Sequence, residues 1–157
     1  MAYRSEPVTL TLPQPPEANH YWRCDRGTVH LTPAARAYRD TVFALARQQH
    51  PLVGSQFSSH PERQVLGYPF FATGDVIAYV AWFRSRKSGD LDNRLKPLLD
   101  ALQGTAYTND RQVAALVAWR VEDAHQSRVE VRIEPWEDRG FRSVKEVFPL
   151  TSMADAP

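Results

Sequence analysis

The chain has 157 residues, 43% of them apolar, which is enough for one packed core and makes a two-domain arrangement unexpected. No apolar run approaches the ~18 residues that cross a bilayer, and residues 1–4 lack a signal-peptide pattern, so we expect a cytoplasmic protein with no membrane partner. Cys24 is the only cysteine, which excludes an intrachain disulfide and fits a reducing compartment. The net charge of +1 gives only weak support for a nucleic-acid-binding protein.

The first predicted elements are a strand and a hairpin. Residues 8–12 alternate apolar and polar side chains, as a half-buried strand does, and Pro13 ends the strand. Residues 25–27 are rich in turn formers and could close a short hairpin between 21–23 and 28–31.

A helix is predicted next. Thr32 and Pro33 are typical of a helix start, with threonine as the cap and proline in the first helical position. The helix is expected to run to about Gln49. Its spacing of i, i+4 and i+7 predicts three buried side chains: Tyr38, Val42 and Leu45.

Residues 50–74 contain many prolines and glycines, which predicts a long loop. The aromatic side chains of Tyr68, Phe70 and Phe71 near its end could stack on unpaired bases. We favour the alternative that they cover the edge of the core.

The second half is predicted to be strand, helix, strand, strand. Residues 76–83 are apolar on both faces, as in a central strand. Leucines from Leu95 to Leu102 follow a helical spacing that Gly104 ends, and Pro97 predicts a distorted or 3₁₀ start. Strands are expected at 113–122 and 128–134, and the charged residues of the latter predict one wet face.

The order of elements indicates an α+β fold, in which a small mixed β-sheet is flanked by two main helices. Residues 1–136 are assigned to this domain. Periodicity fades after Glu137, so residues 137–157 are interpreted as a C-terminal tail that could include a short element around Val144, Val147 and Phe148.

The most informative motif is the run from Gly89 to Leu102, followed by Asn109 and Asp110. Clustered carboxylates repel one another, and Mg²⁺ is commonly held by one or two carboxylates together with water and phosphate oxygens. The motif therefore indicates metal-dependent chemistry at phosphate. Cations near the carboxylates could hold flanking phosphates of DNA. These cations are Arg84, Arg86, Lys87, Arg94 and Lys96.

Asp110 must return to the start of the helix for a three-carboxylate site to form. A helix over about 94–104 travels roughly 16 Å at ~1.5 Å per residue, and six extended residues cover roughly 20 Å. The return is therefore feasible. It predicts that residues 104–109 run back along the helix, so that the strand from Arg111 lies antiparallel to the strand ending at Phe83.

The sequence Asp90-Leu91-Asp92-Asn93, with Lys96, Asp100 and the later Asp110, resembles the signature of the RusA family of Holliday junction resolvases. Residues 15–23 are similar to that family's early element of proline, asparagine, tyrosine and arginine, which here supplies Asn19, Tyr21 and Arg23. The resemblance spans roughly residues 8–135. Departures at Glu17, in the 50–74 loop and in the tail bear on substrate preference more than on chemistry.

The resemblance implies a RusA-like fold and a homodimeric, Mg²⁺-dependent endonuclease, with Mn²⁺ as a substitute, that cuts four-way DNA junctions and is usually encoded by phages or prophages. Asp90, Asp92 and Asp110 would bind the metal, and Lys96 would stabilise charge on the phosphate or orient the attacking water. Asp100 and Asn93 are candidates for supporting positions. Asn19, Tyr21 and Arg23 join Arg84, Arg86, Lys87 and Arg94 as candidate DNA contacts.

Two other classes remain open. A non-catalytic module that binds branched DNA is disfavoured by the three aspartates, because acids weaken phosphate binding unless a metal is present. A phosphohydrolase of the DxD type would need a larger body, and it would have a threonine or valine where this chain has Arg94.

Overall fold

The computed structural model describes residues 6–50, 69–87, 89–137 and 141–148. They form two main helices, a four-stranded sheet and a two-stranded sheet, which confirms the α+β class. No helix in these ranges is long and apolar enough to cross a membrane. The elements are β1 (Val8–Leu12), β2 (Trp22–Asp25), β3 (Thr28–Leu31), α1 (Pro33–Gln49), β4 (Val76–Arg84), α2 (Asp92–Leu102), β5 (Val113–Glu122), β6 (Arg128–Pro135) and α3 (Val144–Val147), with short 3₁₀ turns at Ala18–His20 and Asp110–Gln112.

The main sheet has the order β1-β6-β4-β5, with β6 antiparallel to both β1 and β4. Strand β5 is parallel to β4, so the predicted antiparallel pairing was wrong. The first residue of β5, Val113, pairs with Val76 at the start of β4, not with Arg84 at its end. Because α2 itself carries the chain back along the sheet, the β4-α2-β5 unit is a crossover between parallel strands.

Both main helices cover the same face of the sheet. The side chains of Tyr38 and Val42 in α1, and of Leu98 and Leu102 in α2, are buried in one cluster with alternate residues of β4. Every residue of β4 is buried, as predicted for a central strand. The side-chain oxygen Oγ1 of Thr32 accepts a hydrogen bond from the Ala35 amide (3.2 Å), which confirms the predicted cap of α1.

Helix α2 begins two residues earlier than predicted. Leu91 occupies the N-cap position, no side chain caps the helix, and Asp92 is its first residue. At the expected 3₁₀ start, the Arg94 amide donates to the Leu91 carbonyl (3.1 Å), which is a bond of the 3₁₀ type, while the α-helix itself begins at Asp92. Pro97 lies inside the α-helix, where it cannot donate to the carbonyl four residues earlier.

The charged side chains of β6 are buried or partly buried, whereas the sequence predicted that they face solvent. Arg128 is buried over the ring of Phe83, at 3.8 Å from its centroid, and donates to Asp123 (2.6 Å) and Glu130 (2.7 Å). The hydrogen bond from Arg128 lowers the pKa of Asp123 to about 2. Phe148, next to α3, is buried on the same face. Ion pairing lets these charged side chains occupy a half-buried surface.

The interpretation of the loop aromatics is confirmed for the two residues that can be described. Phe70 and Phe71 are buried, and their amides donate to the carbonyls of Thr105 (3.0 Å) and Ala106 (2.8 Å). They therefore cover the core edge. Tyr68, like the rest of 51–68, lies outside the described residues.

Candidate active site

Lys96 connects two carboxylates that are distant in sequence. Its Nζ donates to Oδ1 of Asp100 at 2.5 Å, one turn along α2, and to Oδ2 of Asp110 at 3.2 Å. The Lys96 side chain is 54% exposed. The hydrogen bond that Lys96 donates to Asp100 raises the pKa of Lys96, with burial opposing and Asp110 adding to the shift. Lys96 is therefore a cation at neutral pH.

A capping box holds Asp110 in place. The Asn109 side chain accepts from the Arg111 amide (3.0 Å), and the Gln112 side-chain oxygen accepts from the Asn109 amide (3.0 Å). The side-chain nitrogen Nε2 of Gln112 also donates to the Gly74 carbonyl at 2.8 Å. The asparagine at the N-cap satisfies free backbone N–H groups, so the turn that presents Asp110 is fixed at both ends.

The chain reverses after α2 and brings Asp110 back toward the helix. Gly104 has φ +82° and its amide donates to the Tyr107 carbonyl at 2.7 Å. The buried Tyr107 hydroxyl donates to the Leu99 carbonyl at 2.7 Å, which ties the reversal to α2. Asp110 thus returns to Lys96, which is about 6 Å along the helix axis from Asp92.

Asp90 and Asp92 lie at the start of α2 with exposed side chains. In the described part of the chain neither forms an ion pair, unlike Asp110. Among residues 6–50, 69–87, 89–137 and 141–148, no group of three His, Cys, Asp or Glu side chains is close enough to hold a metal ion. The structure brings Lys96, Asp100 and Asp110 together, and among the described residues it does not bring the three aspartates predicted as ligands into one such group.

Trp82 supports the loop that carries Asp90. The indole is buried, and a Cβ added to Gly89 would lie 3.1 Å from its Cη2 atom. Gly89 has φ +95°, a conformation that residues with a side chain rarely adopt. Glycine therefore permits both the backbone conformation and the close approach of the loop to the indole.

Two of the predicted DNA contacts, Arg84 and Tyr21, are buried, and a third, Arg94, is partly buried. Arg84 is buried and donates to Glu122 (2.8 Å), and the Arg94 side chain is 19% exposed and donates to Glu17 (2.9 Å). Tyr21 is fully buried, and this burial raises its pKa, with Asp100 adding to the shift and Arg39 and Lys96 opposing it. The remaining predicted contacts are exposed: Asn19, Arg23, Arg86 and Lys87. Asn93 is half-buried in the first turn of α2.

Sequence reasoning gave no role to Glu17 or Trp82. Glu17 is 77 residues from its partner Arg94, so no helical or strand spacing links them. A lone tryptophan at the end of an apolar strand is indistinguishable from other core residues. The one available signal was the position of Glu17 within the early proline and asparagine element.

Comparisons with known proteins cover most of the chain. A model of the family described as Endodeoxyribonuclease RusA matches residues 13–134. Crossover junction endodeoxyribonuclease RusA of Escherichia coli K12 is 30% identical over 113 residues, which are 72% of this chain and 79% of that protein. The protein of the same name from Enterobacteria phage 82 is 30% identical over 112 residues, covering 71% of this chain and 78% of that protein.

Proposed function

This chain belongs to the RusA family of endodeoxyribonucleases, and from that premise we propose that it cuts four-way DNA junctions with Mg²⁺. The observation that supports the proposal best is the contact of Lys96 with Asp110. It ties a distant carboxylate to the helix that begins at Asp92. A cation and carboxylates are thereby available on one surface, as hydrolysis of a phosphodiester requires.

The carboxylates are suitable donors for Mg²⁺. The exposed Asp90 and Asp92 would hold the ion, and Asp110 could join them through Oδ1, because its contact with Lys96 uses Oδ2. Mg²⁺ needs only one or two carboxylates when water and substrate phosphate complete the shell. A bound ion would polarise the scissile phosphate and lower the pKa of a water molecule, and Mn²⁺ would serve as a substitute.

Lys96 would stabilise negative charge on the phosphate. An ammonium group has three N–H donors. Two are used by Asp100 and Asp110, so the third is available to a phosphate oxygen or to the attacking water. Because both carboxylates hold the ammonium, Lys96 loses little side-chain freedom when DNA binds. Asp100 thus positions Lys96 rather than touching the substrate.

The exposed cations would hold the DNA. Arg86 and Lys87 follow β4 and precede Asp90 by only a few residues, so phosphates bound there would lie near the carboxylates. Asn19 lies in the 3₁₀ turn that contacts α2, and Arg23 follows it in β2; both are exposed and would add further contacts to DNA. These contacts would offset the repulsion between DNA and an acidic site.

The active species is proposed to be a symmetric homodimer. One site makes one nick at a time, and a four-way junction has two-fold symmetry, so paired cuts on opposed strands need two related sites. Light scattering at working concentration should give a mass near twice 17.9 kDa. A monomer that still makes paired cuts would contradict the proposed assembly.

The decisive experiment titrates Mg²⁺ against cleavage of a labelled four-way junction, with a linear duplex of the same sequence as the control. We expect metal-dependent conversion of the junction to nicked duplexes and little cutting of the linear duplex. Junction binding without cleavage at any Mg²⁺ or Mn²⁺ concentration would favour a binding module. Hydrolysis of a small phosphomonoester with no cleavage of DNA would favour a phosphohydrolase.

A further inference from the structure

Arg94 is held by groups from two other parts of the chain. Its Nη1 donates to the Pro15 carbonyl at 2.5 Å and its Nη2 to Oε1 of Glu17 at 2.9 Å. The guanidinium also lies over the indole of Trp82, 5.7 Å from the ring centroid. One side chain in the first turn of α2 therefore joins the segment before the Ala18–His20 turn to the end of β4.

Arg84 contacts the same indole from β4 itself. Its guanidinium lies 5.8 Å from the centroid of Trp82, and it donates to Glu122 (2.8 Å) and more weakly to the Gly89 carbonyl (3.5 Å). The loop bearing Asp90 thus closes over an indole that has both arginines nearby. Cation–π contacts of this kind are stronger where water is excluded.

We infer that Arg94, through Glu17 and Pro15, is a positioning residue that fixes the 15–21 segment against the start of α2. Residues from that segment are candidate DNA contacts, and the start of α2 carries Asp92. Holding the two together sets the distance between bound DNA and the carboxylates. The inference rests on the proposed function for its effect on cleavage, but the contact itself does not.

The alternative is that Arg94 leaves Glu17 and binds a phosphate. The two roles predict opposite effects of Glu17→Gln. If Arg94 positions the segment, losing the carboxylate weakens its hold and lowers turnover. If Arg94 binds DNA, removing a competing negative charge frees it and tightens junction binding.

The test compares Glu17→Gln, Arg94→Met and the double variant by kcat, junction Kd and the slope of log Kd against log salt. We expect kcat of the variants to fall about 10- to 100-fold, because a small misplacement of the substrate relative to the catalytic groups slows the reaction strongly. The double variant should be no worse than either single variant, and the salt slope should be unchanged. Arg94→Lys should restore little activity, since one ammonium cannot reproduce the fork that reaches Pro15 and Glu17 together.

Arg86→Ala serves as the matched control, because this exposed arginine is a proposed phosphate contact. Its loss should reduce the salt slope by about 0.9 with a smaller effect on kcat. A similar change of slope in Arg94→Met, or full rescue by lysine, would overturn the positioning role.

Hydrogen exchange gives a readout that does not depend on cleavage. Arg94→Met should speed exchange in both 15–21 and 89–92, and Glu17→Gln should do the same in 15–21. If exchange changes as expected but no form of the protein cuts junctions, the proposed function fails and the contact stands. Unchanged exchange in both segments would contradict the inference itself.

Discussion

Replacing Lys96 with alanine should separate catalysis from stability. The side chain is 54% exposed and forms two ion pairs, with Asp100 and Asp110. Exposed pairs contribute about 0.2–1 kcal/mol each, so the free energy of unfolding should fall by at most about 2 kcal/mol. A domain that starts with about 5–15 kcal/mol stays folded after that loss.

The expected effect on catalysis is larger. Losing one preorganised donor to charge in a transition state typically lowers kcat by about 10²–10³-fold. Lys96→Ala should therefore slow cleavage at saturating junction by this factor, while affinity changes modestly because one phosphate contact among many is lost. Single-turnover cleavage and urea unfolding should be measured on the same preparations.

Arg142→Ala provides a matched control for the stability effect. Arg142 is 50% exposed and pairs with Glu134 at 3.6 Å, in a part of the chain to which no DNA or metal contact is assigned. Its loss removes one exposed pair, so it should lower the free energy of unfolding by at most about 1 kcal/mol and leave cleavage unchanged. A Lys96→Ala defect confined to affinity would refute the transition-state role and leave Lys96 as a DNA-positioning residue.

The pH dependence provides a further check on Lys96. The pKa of Lys96 is raised by its carboxylate partners, so its stabilising contribution is fully present below the unfolded-state value of about 10.4. That contribution is lost only as pH rises through the higher folded-state pKa. The loss of unfolding free energy in Lys96→Ala should therefore be constant between about pH 6 and 9. A loss that disappears within this range would contradict a charged Lys96.

Two further groups of substitutions test the carboxylates and their loop. Asp90→Asn, Asp92→Asn and Asp110→Asn should each abolish cleavage while junction binding persists or tightens, because each removes a charged ligand with little change in shape; near-normal cleavage would exclude that residue from the site. Gly89→Ala should cost about 1–2 kcal/mol in backbone strain and also slow cleavage, because its Cβ would press on the indole at 3.1 Å. Gly27→Ala, in the turn of the β2-β3 hairpin, has comparable strain at φ +79° with no atom within 4 Å, so it should lower stability alone, and equal cleavage defects in both variants would refute the loop argument.

The elements that depend on local pattern were predictable from the sequence. Alternation located β1 and β6, and the threonine-proline start with its helical spacing located α1 within a residue. The family resemblance of the carboxylate motif is confirmed by the match over residues 13–134. Local patterns predict such strands and helices reliably because strand and helix periodicity depend on near neighbours.

The remaining features depend on contacts between distant residues. Strand β5 is parallel to β4 because α2 ends near the start of β4. The sequence argument only showed that residues 104–109 are long enough to span the helix, and this length does not determine the strand direction. The burial of Arg128 depends on Asp123 and Glu130 meeting it across a turn and along the strand. Likewise, the contact of Lys96 with Asp110 required the fold, although the sequence identified both residues.

The internal arginines change the expected strength of DNA binding. Arg84 and Arg94 are paired with Glu122 and Glu17, and Lys96 is held by Asp100 and Asp110, so Arg23, Arg86 and Lys87 are the predicted DNA-binding cations that are exposed and outside these pairs. Three phosphate contacts per chain, or six in a homodimer, predict a slope of log Kd against log salt with a magnitude of roughly 5. If Arg84 and Arg94 also bound phosphates, a homodimer would make about ten contacts and the magnitude would be roughly 9. Measuring the slope in Ca²⁺, without cleavage, distinguishes these values. A magnitude near 9 would mean that both arginines leave their acidic partners to bind DNA.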